Sequence, residues 1–537
     1  MKGCHYDSRF LRRHLNPHVY AIQESGNPDG FALARLGEQE STARALLEGF
    51  KNAKEYGSIL QPKVTLAELD ALQEHLREVD GASDMGSFTD QFVAGQLLRV
   101  LCPLVEQARM LVQKYDVVVT NPPYMGASNM NPRLNDFIKN RYPDYKSDFF
   151  SAFIVRGSEM TKPEGYCGYF TPYVWMFIQS YEKLREYLYT YATIETLIQF
   201  EYSAFEEATV PVCTFAFKNS HIRKKGCYLR LVDFRGGMEI QRQKTLEAIA
   251  NHDCGFYYEQ NTDNFSKIPG SPVAYWVSDN VFTDFRDCIS ISEIGEAKAG
   301  MTTGDNNKFL RLWNEVPFPE IGLEMNNAEE AQKSKRKWFP YNKGGGFRKW
   351  YGLNEYVVLW ENDGFEIKNA TDKGRKIASV RSERLYFKKS ITWATLTAST
   401  ISCRASEAGH LFDDKGSSCF VPDNEYGFVL AYINSKVGDY FLNILNPTMS
   451  FQSGNIGALP VVEHVNVKEK IDILCNENIL ISKSDWDSFE TSWDFAEHPL
   501  VKWSHDLWDA TSIGATMAYY YHGERPEASC PVELCYL

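Results

Sequence analysis

The stretch Tyr115-Asp116-Val117-Val118-Val119-Thr120-Asn121-Pro122-Pro123-Tyr124 decides the fold of this chain. Its apolar, β-branched first half predicts a buried strand. The two prolines that follow end this strand in a rigid loop, because proline fixes φ and offers no N–H donor. The sequence therefore predicts a core strand that presents one amide, one carbonyl and one aromatic ring at its carboxyl end.

The loop carries the groups that can bind an exocyclic amino group. The amide oxygen of Asn121 and the carbonyl of Pro122 can accept both N–H bonds of an adenine N6 amine. Accepting both draws the nitrogen toward tetrahedral geometry and frees its lone pair for attack on a methyl sulfonium. Tyr124 offers a face on which an extruded base can stack, and Pro123 keeps the loop rigid. The alternative is a Pro-rich turn after a core strand.

Length and composition indicate a large intracellular protein. The 537 residues are 44% hydrophobic and 14% aromatic, enough for two or three domains with cores of their own. The sequence has no apolar run near the ~18–20 residues that span a bilayer, and residues 1–6 lack the apolar core of a signal peptide. The twelve cysteines form no Cys-x-x-Cys pair. They predict reduced thiols in a cytoplasm and neither a zinc site nor a disulfide framework, and the lack of a membrane-spanning run predicts no membrane partner.

The net charge of −13 is unevenly distributed. Residues 333–349 carry seven basic side chains and no acidic one. The basic residues are Lys333, Lys335, Arg336, Lys337, Lys343, Arg348 and Lys349. Aromatic residues and a Gly344-Gly345-Gly346 hinge interleave with them, which predicts a loop that follows a phosphate backbone. The alternative is a solvated surface loop of a sheet domain.

Periodicity indicates an α/β sheet in the first half of the chain. Helical patterns cover residues 42–54, 64–78 and 92–114, and Thr65 with Glu68 predicts a capping box. Strands and helices then alternate at 115–120, from 146 to about 161, at 166–172, around 184–188, at 194–198 and at 212–217. This alternation predicts a doubly wound sheet, in which ligands bind at the carboxyl ends of the strands, where Asn121 lies.

Four stretches together carry a resemblance to a known family. They are Tyr115–Gly126, Lys146–Phe170, Thr171–Trp175 and Phe205–Phe217. With them the chain resembles the γ-class amino-methyltransferases that act on adenine N6 in DNA. It looks most like the PglX-type methyltransferases of the BREX phage-defence systems, which are related to restriction–modification fusions. The resemblance implies site-specific methyl transfer from S-adenosylmethionine to duplex DNA with base flipping. It also implies a partial Rossmann-like sheet followed by a β-rich, mixed target-recognition domain.

The resemblance also assigns roles to individual residues. Asn121, Pro122 and Pro123 match the segment that holds the target amine, and Tyr124 matches the stacking aromatic. Phe205 matches an aromatic that packs on the flipped base, with a core aromatic at a strand end as the alternative. Asp148 resembles an acidic position that lines the cofactor pocket. A charge at a helix N-terminus is the alternative for Asp148.

The second half resembles a target-recognition domain. The best local match is Gly300–Arg311, where Thr303 and Asn306 are candidates for DNA contact in a tight polar loop. Gly454–Pro460 resembles the closing segment, with an ordinary turn as the alternative. Such a domain reads base edges in the major groove. The implied partner is double-stranded DNA, and the resemblance allows for other phage-defence subunits.

One part of the family pattern is missing. S-adenosylmethionine needs a Gly-rich turn after one strand and an acidic residue after the next. Residues 1–114 contain neither, so the chain is expected to begin after the first two strands of its own sheet and to be shortened at both ends. The predicted segments are a helical region (1–114), a methyltransferase catalytic region (115–220), a linker and β region (221–288), a recognition domain (289–462) and a C-terminal segment (463–537).

Two alternatives follow from the sequence. The missing cofactor residues favour a catalytically inactive DNA-recognition fragment. Loops like Asn121–Tyr124 also methylate RNA bases and protein glutamine amides, so an RNA or protein amino-methyltransferase is the second alternative. The large, loop-rich region after residue 289 argues against a small glutamine methyltransferase. Nuclease activity is not supported, since no Pro-Asp…Asp/Glu-x-Lys cluster is placed for two-metal chemistry.

Overall fold

The computed structural model describes residues 18–26, 30–83, 88–202, 204, 210–397, 400–447, 450–462 and 467–501. The chain divides into two compact units, Met1–Asp263 and Asn264–Leu537. Within the described residues, no helix combines the length and the apolar character needed to cross a membrane. The nine cysteines in these residues are all free thiols.

Helices make up the first unit before its sheet. They are α1 (Gly30–Ala34), α2 (Glu40–Gly49), α3 (Ala53–Tyr56), α4 (Leu66–Ser83) and α5 (Phe88–Val112). Leucines three and four residues apart, such as Leu69, Leu72 and Leu76, bury one side of α4 in a shared core with α5. The predicted capping box is confirmed. The Glu68 N–H donates to Thr65 Oγ1 over 3.2 Å, and the Thr65 N–H donates to the Glu68 carboxylate over 2.6 Å.

A six-stranded sheet forms the body of the first unit. Its strands are β1 (Tyr115–Thr120), β2 (Thr161–Pro172), β3 (Thr193–Gln199), β4 (Val212–Lys218), β5 (Lys225–Arg230) and β6 (Tyr257–Asn261). They lie in the order β1-β2-β4-β3-β5-β6. The pairs β1–β2 and β3–β5 are parallel, and the other neighbours are antiparallel. The predicted α/β class is confirmed, with β1 at one edge of a mixed sheet.

Helices connect the strands and pack against this sheet. The connecting helices are α6 (Pro132–Arg141), α7 (Phe149–Met160), α8 (Glu182–Tyr191) and α9 (Gly237–Ala250). Helix α7 packs against β1 and β2, and α8 packs against β3. Strand β4 shows the resulting alternation: Cys213, Phe215 and Phe217 are buried, whereas Thr214 and Ala216 are only half-buried. The core of the unit therefore lies on the side of α7 and α8.

Strand β1 is largely exposed, so the prediction of a buried strand is wrong. Val117 is 56% exposed and Val119 is 74% exposed. Among the described strands β1 pairs with β2 alone, where Val119 lies opposite Gly168. Val118 points to the other face, toward Gly157 of α7. An edge strand with one uncovered face leaves alternate valines exposed, however apolar its sequence is.

The second unit is built from short strands in small sheets. Its strands are β7 Ile289–Ser290, β8 Glu296–Lys298, β9 Leu310–Leu312, β10 Trp338–Asn342, β11 Tyr356–Leu359, β12 Thr371–Asp372, β13 Arg375–Lys376, β14 Ser390–Trp393, β15 Cys403–Ser406, β16 Leu411–Phe412, β17 Ser418–Phe420 and β18 Pro460–Val461. One four-stranded sheet has the order β16-β10-β11-β9, and another has the order β15-β14-β17-β8. Two-stranded pairs join β12 with β13 and β18 with β7. The predicted β-rich, mixed second half is confirmed.

Most helices of the second unit are short. They are α10 Asp279–Asp287, α11 Ile291–Ile294, α12 Asn306–Phe309, α13 Ala328–Ser334, α14 Glu361–Lys368, α15 Asp423–Asn434, α16 Lys436–Leu445, α17 Ser453–Gly457 and α18 Lys468–Trp486. Helices α15 and α16 follow one another and are separated by Ser435 alone. The β12–β13 hairpin turns at Gly374, whose φ is +77°.

Candidate active site

The loop after β1 lies at the edge of the sheet, where the strand ends. Asn121, Pro123 and Tyr124 are exposed, and Pro122 is buried. A shallow depression of about 450 Å³ begins at Asn121 and runs over the uncovered face of β1 to β4. Among the described residues, no backbone N–H donates to the carbonyl of Pro122. That carbonyl therefore keeps its acceptor positions unfilled by the backbone.

Tyr124 is bound to the amide that precedes it in the loop. Its hydroxyl lies 3.0 Å from Oδ1 of Asn121 and 3.2 Å from the carbonyl oxygen of Phe170. Its ring meets Phe150 edge to face, with ring centroids 6.5 Å apart. Burial raises the pKa of Tyr124 to about 12, so the hydroxyl keeps its proton and acts as a donor at neutral pH. The single proton is shared between the two acceptors.

Asp148 ties the end of the loop to helix α7. Its Oδ1 accepts the N–H of Met125 over 3.0 Å and the N–H of Phe150 over 3.2 Å. In return, the Phe149 N–H donates to the carbonyl of Met125 over 3.0 Å. Asp148 thus caps α7, which is the helix-terminus alternative that its sequence position left open. Its role toward a cofactor stays a prediction.

Burial and backbone hydrogen bonds act in opposite directions on Asp148. Burial raises the pKa of this carboxyl, and the N–H groups of Met125, Phe150 and Phe149 lower it, so that the raised value prevails. The carboxylate is fully engaged in local backbone contacts. It serves mainly to place Met125, and with it the loop that begins at Asn121.

Two contacts of the site were missed from the sequence. Phe150 is fully buried, stacks on Tyr181 with centroids 5.5 Å apart, and supports the ring of Tyr124. The carbonyl of Phe170, at the end of β2, accepts from Tyr124. The signal for Phe150 was its place two residues after a capping aspartate. Phe205, predicted to pack on the target base, lies outside the described residues.

The described residues do not fit the adenosyl part of S-adenosylmethionine. The described elements before β1 are all helical, so they supply no strand with a Gly-rich turn and no second strand with an acidic end. The uncovered face of β1 exposes the side chains of Val117 and Val119, which cannot form a hydrogen bond with a ribose. The described residues therefore supply the loop Asn121–Tyr124 but not the adenosyl site that the family resemblance implies.

Three of the predicted DNA-binding cations take part in intramolecular contacts. Lys343 Nζ lies 2.5 Å from the buried carboxylate of Asp413. Arg348 pairs with Asp485 over 2.8 Å and lies over the ring of Trp486. The ammonium of Lys349 donates to a backbone carbonyl, that of residue 434, over 2.6 Å. These three side chains join separate segments of the second unit, and their contact with DNA stays a prediction.

Three further cations lie on the surface at the end of α13, where Lys333 of the same stretch is paired with Glu329 over 2.5 Å. Lys335, Arg336 and Lys337 are all exposed. Lys335 ends the helix with a φ of +57°, and Lys337 lies 3.5 Å from Glu320. Exposure leaves Lys335 and Arg336 accessible to a phosphate backbone. Their contact with DNA stays a prediction.

The predicted tight polar loop at Thr303 is present. The buried Thr303 hydroxyl donates to Oδ1 of Asn306 over 2.6 Å, and Asp305 accepts the Lys308 N–H over 3.1 Å to begin α12. Gly304 has a φ of +76°, and a Cβ there would lie 2.6 Å from the backbone of residue 377. Only glycine fits this position. The contact of Thr303 and Asn306 with DNA stays a prediction.

Comparisons with known proteins agree with the family resemblance that the sequence shows. Residues 41–205 match a family model described as Eco57I restriction-modification methylase. An adenine-specific methyltransferase, PglX, of Lacticaseibacillus casei (strain Zhang) is 33% identical over 93% of this chain and 42% of its own length. An adenine-specific methyltransferase, BrxX, of Escherichia coli O9:H4 (strain HS) is 33% identical over 88% of this chain and 37% of its own length.

A solved structure is also similar. The type IIL restriction–modification enzyme MmeI in complex with DNA aligns with 78% of this chain and 55% of its own, at 11% identity and a TM-score of 0.45. The chain spans about two fifths of the length of the curated relatives it matches. The resemblance inferred from the sequence is confirmed over nearly the whole chain.

Proposed function

Since this chain is a relative of the PglX-type adenine-specific methyltransferases along 93% of its length, we propose that it carries the amine-holding loop and the recognition domain of a DNA adenine-N6 methyltransferase in phage defence. The observation that carries the proposal is the loop at the end of β1. There the free carbonyl of Pro122 and the amide oxygen of Asn121 stand side by side in sequence, with Tyr124 hydrogen-bonded to the amide.

In the proposed reaction the recognition domain docks on duplex DNA and an adenine is extruded from the helix. The base stacks on the ring of Tyr124, which meets Phe150 edge to face. Asn121 Oδ1 and the Pro122 carbonyl then accept the two N6–H bonds, which orients the nitrogen lone pair. Phe205 is the second proposed stacking residue. This mechanism uses neither a metal ion nor a covalent nucleophile.

The proposed methyl donor is S-adenosylmethionine, which supplies an electrophilic methyl group when it is bound. The described residues do not provide its adenosyl site, so no step of the mechanism is assigned to that group. A second candidate function follows from the same observation. A chain that binds DNA but has no cofactor pocket acts as a recognition subunit rather than as an enzyme.

Calorimetry distinguishes the two candidates. S-adenosylmethionine is titrated into the full chain with and without an adenine-containing duplex, and DNA binding is measured in parallel. The methyltransferase proposal predicts saturable cofactor binding that increases when DNA is present. Intact DNA binding with no cofactor heat in either titration would favour the recognition subunit.

A further inference from the structure

A basic β-hairpin stands apart on the surface of the second unit. Among the described strands, β12 and β13 pair only with each other, with Thr371 opposite Lys376 and Asp372 opposite Arg375. All six residues from 371 to 376 are exposed. A Cβ added at Gly374, in the turn, would meet no atom within 4 Å. The hairpin is therefore a two-stranded ribbon whose tip is open to solvent.

The turn gives this ribbon a defined shape. Lys373 and Gly374 have φ values of +47° and +77°. Positive φ at both central residues is what a two-residue type I′ turn requires, and its twist matches that of the flanking strands. The pairing continues one step beyond the strands, because the Ile377 N–H donates to the Ala370 carbonyl over 3.1 Å. The ribbon thus keeps its shape through its own backbone.

The base of the ribbon is fixed to the loop that contains Thr303. Thr302 and Ser379 exchange backbone hydrogen bonds in both directions, over 2.9 and 3.0 Å. Gly304 approaches the backbone of residue 377 so closely that a Cβ would lie 2.6 Å from it. The ribbon is therefore held beside the polar loop that the family resemblance makes a candidate for DNA contact.

The cations of the ribbon are uncompensated, in contrast to a cation at its base. Lys368, which ends α14 just before the ribbon, pairs with Asp363 over 2.7 Å. Lys373, Arg375 and Lys376 form no ion pair and no side-chain hydrogen bond with any described residue. Three basic residues and one acidic residue give the segment 371–376 a net charge of +2, in a chain of net charge −13. This local charge favours an anionic partner.

We infer that the β12–β13 ribbon enters the major groove of duplex DNA and contacts a base pair there. The identity of the partner rests on the proposed function. The major groove of B-DNA is about 12 Å wide and admits a two-stranded β-ribbon. The two backbones of such a ribbon lie about 4.8 Å apart, which leaves room in the groove for the side chains.

Asp372 and Arg375 are the residues that we assign to the bases. Residues directly opposite in an antiparallel pair share one face of the ribbon, with Cβ atoms about 4.5–5.5 Å apart. In the major groove a G·C pair presents two acceptors on guanine, O6 and N7, beside one donor on cytosine, the N4 amine. Arg375 donates to the guanine and Asp372 accepts from the cytosine. The cross-strand pair therefore matches the two bases of one G·C pair.

Lys373 and Lys376 are left for the phosphates along the groove. Lys376 lies on the opposite face from Arg375, because successive residues of a strand alternate, and Lys373 lies in the turn. A lysine places its charge on a flexible stem and binds phosphate as a point charge. Such contacts position the protein on the duplex and do not depend on base sequence.

The test compares three variants of the ribbon with one matched control, all in the full chain. Arg375→Lys keeps the charge and loses the planar fork that binds guanine. Lys376→Gln removes a charge from the other face, and Asp372→Ala removes the acceptor. The control Lys470→Gln removes an exposed lysine of α18 that has no ion pair among the described residues. Thermal unfolding checks that all four variants are folded, as expected for exposed positions.

The preferred sequence of the wild type is first selected from a pool of random duplexes. Fluorescence anisotropy then measures binding to this duplex and to an unrelated one at several salt concentrations. Arg375→Lys is expected to bind the preferred duplex about tenfold more weakly, with unchanged binding to the unrelated duplex and an unchanged salt slope. Repeated selection with Arg375→Lys or Asp372→Ala should lose the preference for G·C at the same position.

Lys376→Gln is expected to weaken binding equally on both duplexes. The slope of log K against log [salt] should fall by about 0.9, which corresponds to one lost phosphate contact. The control should keep the affinity, the sequence preference and the slope of the wild type.

Three results would overturn the inference and leave the proposed function intact. They are wild-type binding and preference in Arg375→Lys and Lys376→Gln, an equal loss on both duplexes in Arg375→Lys, and an unchanged preference in Asp372→Ala. An RNA duplex gives a fourth test, because its major groove is too deep and narrow for side chains to read. Loss of RNA binding with unchanged DNA binding would also overturn the inference. A wild type that binds no duplex DNA would refute the proposed function as well.

Discussion

The hydroxyl of Tyr124 lies 3.0 Å from Oδ1 of Asn121. The hydroxyl is the donor in this contact, so the carbonyl oxygen of the amide, and not its NH2 group, faces the hydroxyl. Oδ1 has a second lone pair that remains for an N–H of the target amine. The aromatic residue of the loop therefore positions the amide in addition to offering a stacking surface.

Tyr124→Phe is expected to separate these two roles. The variant keeps the ring and its edge contact with Phe150, and it loses the hydrogen bonds to Asn121 and to the carbonyl of Phe170. One such hydrogen bond contributes about 1 kcal/mol, so the methyl-transfer rate on duplex DNA should fall roughly five- to tenfold. The KM for DNA should change little. The measurement is incorporation of labelled methyl groups at varied DNA concentration.

Tyr124→Ala is the comparison, because it removes the ring as well. Loss of stacking on one base costs about 1–3 kcal/mol and should appear in both kcat and KM. If Tyr124→Phe and Tyr124→Ala lower the rate equally, then the hydroxyl rather than the ring carries the whole effect. Wild-type kinetics in Tyr124→Phe would mean that the contact with Asn121 has no positioning role.

Asp148 is expected to act through its capping oxygen rather than through its charge. Asp148→Asn keeps an oxygen that can accept from Met125 and Phe150, and should change the free energy of unfolding by less than about 0.5 kcal/mol. Asp148→Ala loses the cap and the hydrogen bond to the loop at Met125, and should lower the free energy of unfolding by about 1–2 kcal/mol. Urea unfolding of both variants gives the comparison.

Titrations of S-adenosylmethionine into Asp148→Asn and Asp148→Ala test the alternative role of Asp148, as a residue that lines the cofactor pocket. If Asp148 lined the cofactor pocket through its charge, Asp148→Asn would weaken S-adenosylmethionine binding as strongly as Asp148→Ala, without loss of stability. Equal stability of the two variants would contradict the capping role.

The exposure of β1 predicts that a lysine at two adjacent valine positions changes the free energy of unfolding by different amounts. Val119 is 74% exposed, so Val119→Lys should change the free energy of unfolding by no more than about 0.5 kcal/mol. Val118 faces α7 near Gly157, so Val118→Lys should lower it by about 2 kcal/mol or more, because an ammonium would be forced against the helix. Thermal unfolding of the two variants checks which face of β1 each valine occupies. A larger loss at Val119 than at Val118 would show that the faces of the strand are assigned wrongly.

His410 gives the second unit a defined response to acid. Burial lowers its pKa to about 4, and its Nδ1 lies 3.1 Å from the carbonyl of Glu407. The folded pKa is below the ordinary value near 6.5, so its contribution to stability is complete above about pH 6.5 and is lost as the pH falls toward 4. This loss amounts to roughly 3 kcal/mol. Unfolding measured from pH 7 to 4 should show a smaller decline in His410→Gln; an equal decline would contradict the assignment.

The local features of the site were predictable from the sequence. Asn121-Pro122-Pro123-Tyr124 lies where the strand ends, and Asp148 begins a helix, because proline and capping aspartate act within a few residues. The exposure of Val117 and Val119 was not predictable, since it depends on which strands and helices lie beside β1. Two strands from the interval 221–288, β5 and β6, likewise join the first sheet through pairing that periodicity does not encode.

Long-range pairing also explains why the ion pairs of the basic stretch 333–349 were not predicted from the sequence. The carboxylate bound by Lys343 is 70 residues away, and that bound by Arg348 is 137 residues away. A run of cations without nearby acids therefore looked free in the sequence although it is partly paired in the fold.

The central claim is that Asn121 holds the amine that receives the methyl group. The most direct test is the formation of N6-methyladenine in unmethylated duplex DNA by the full chain and by Asn121→Ala, each supplied with S-adenosylmethionine and matched for DNA binding. The account predicts N6-methyladenine with the wild type, a loss of at least about a hundredfold in the variant, and equal DNA affinity. Methylation by Asn121→Ala at the wild-type rate would contradict it.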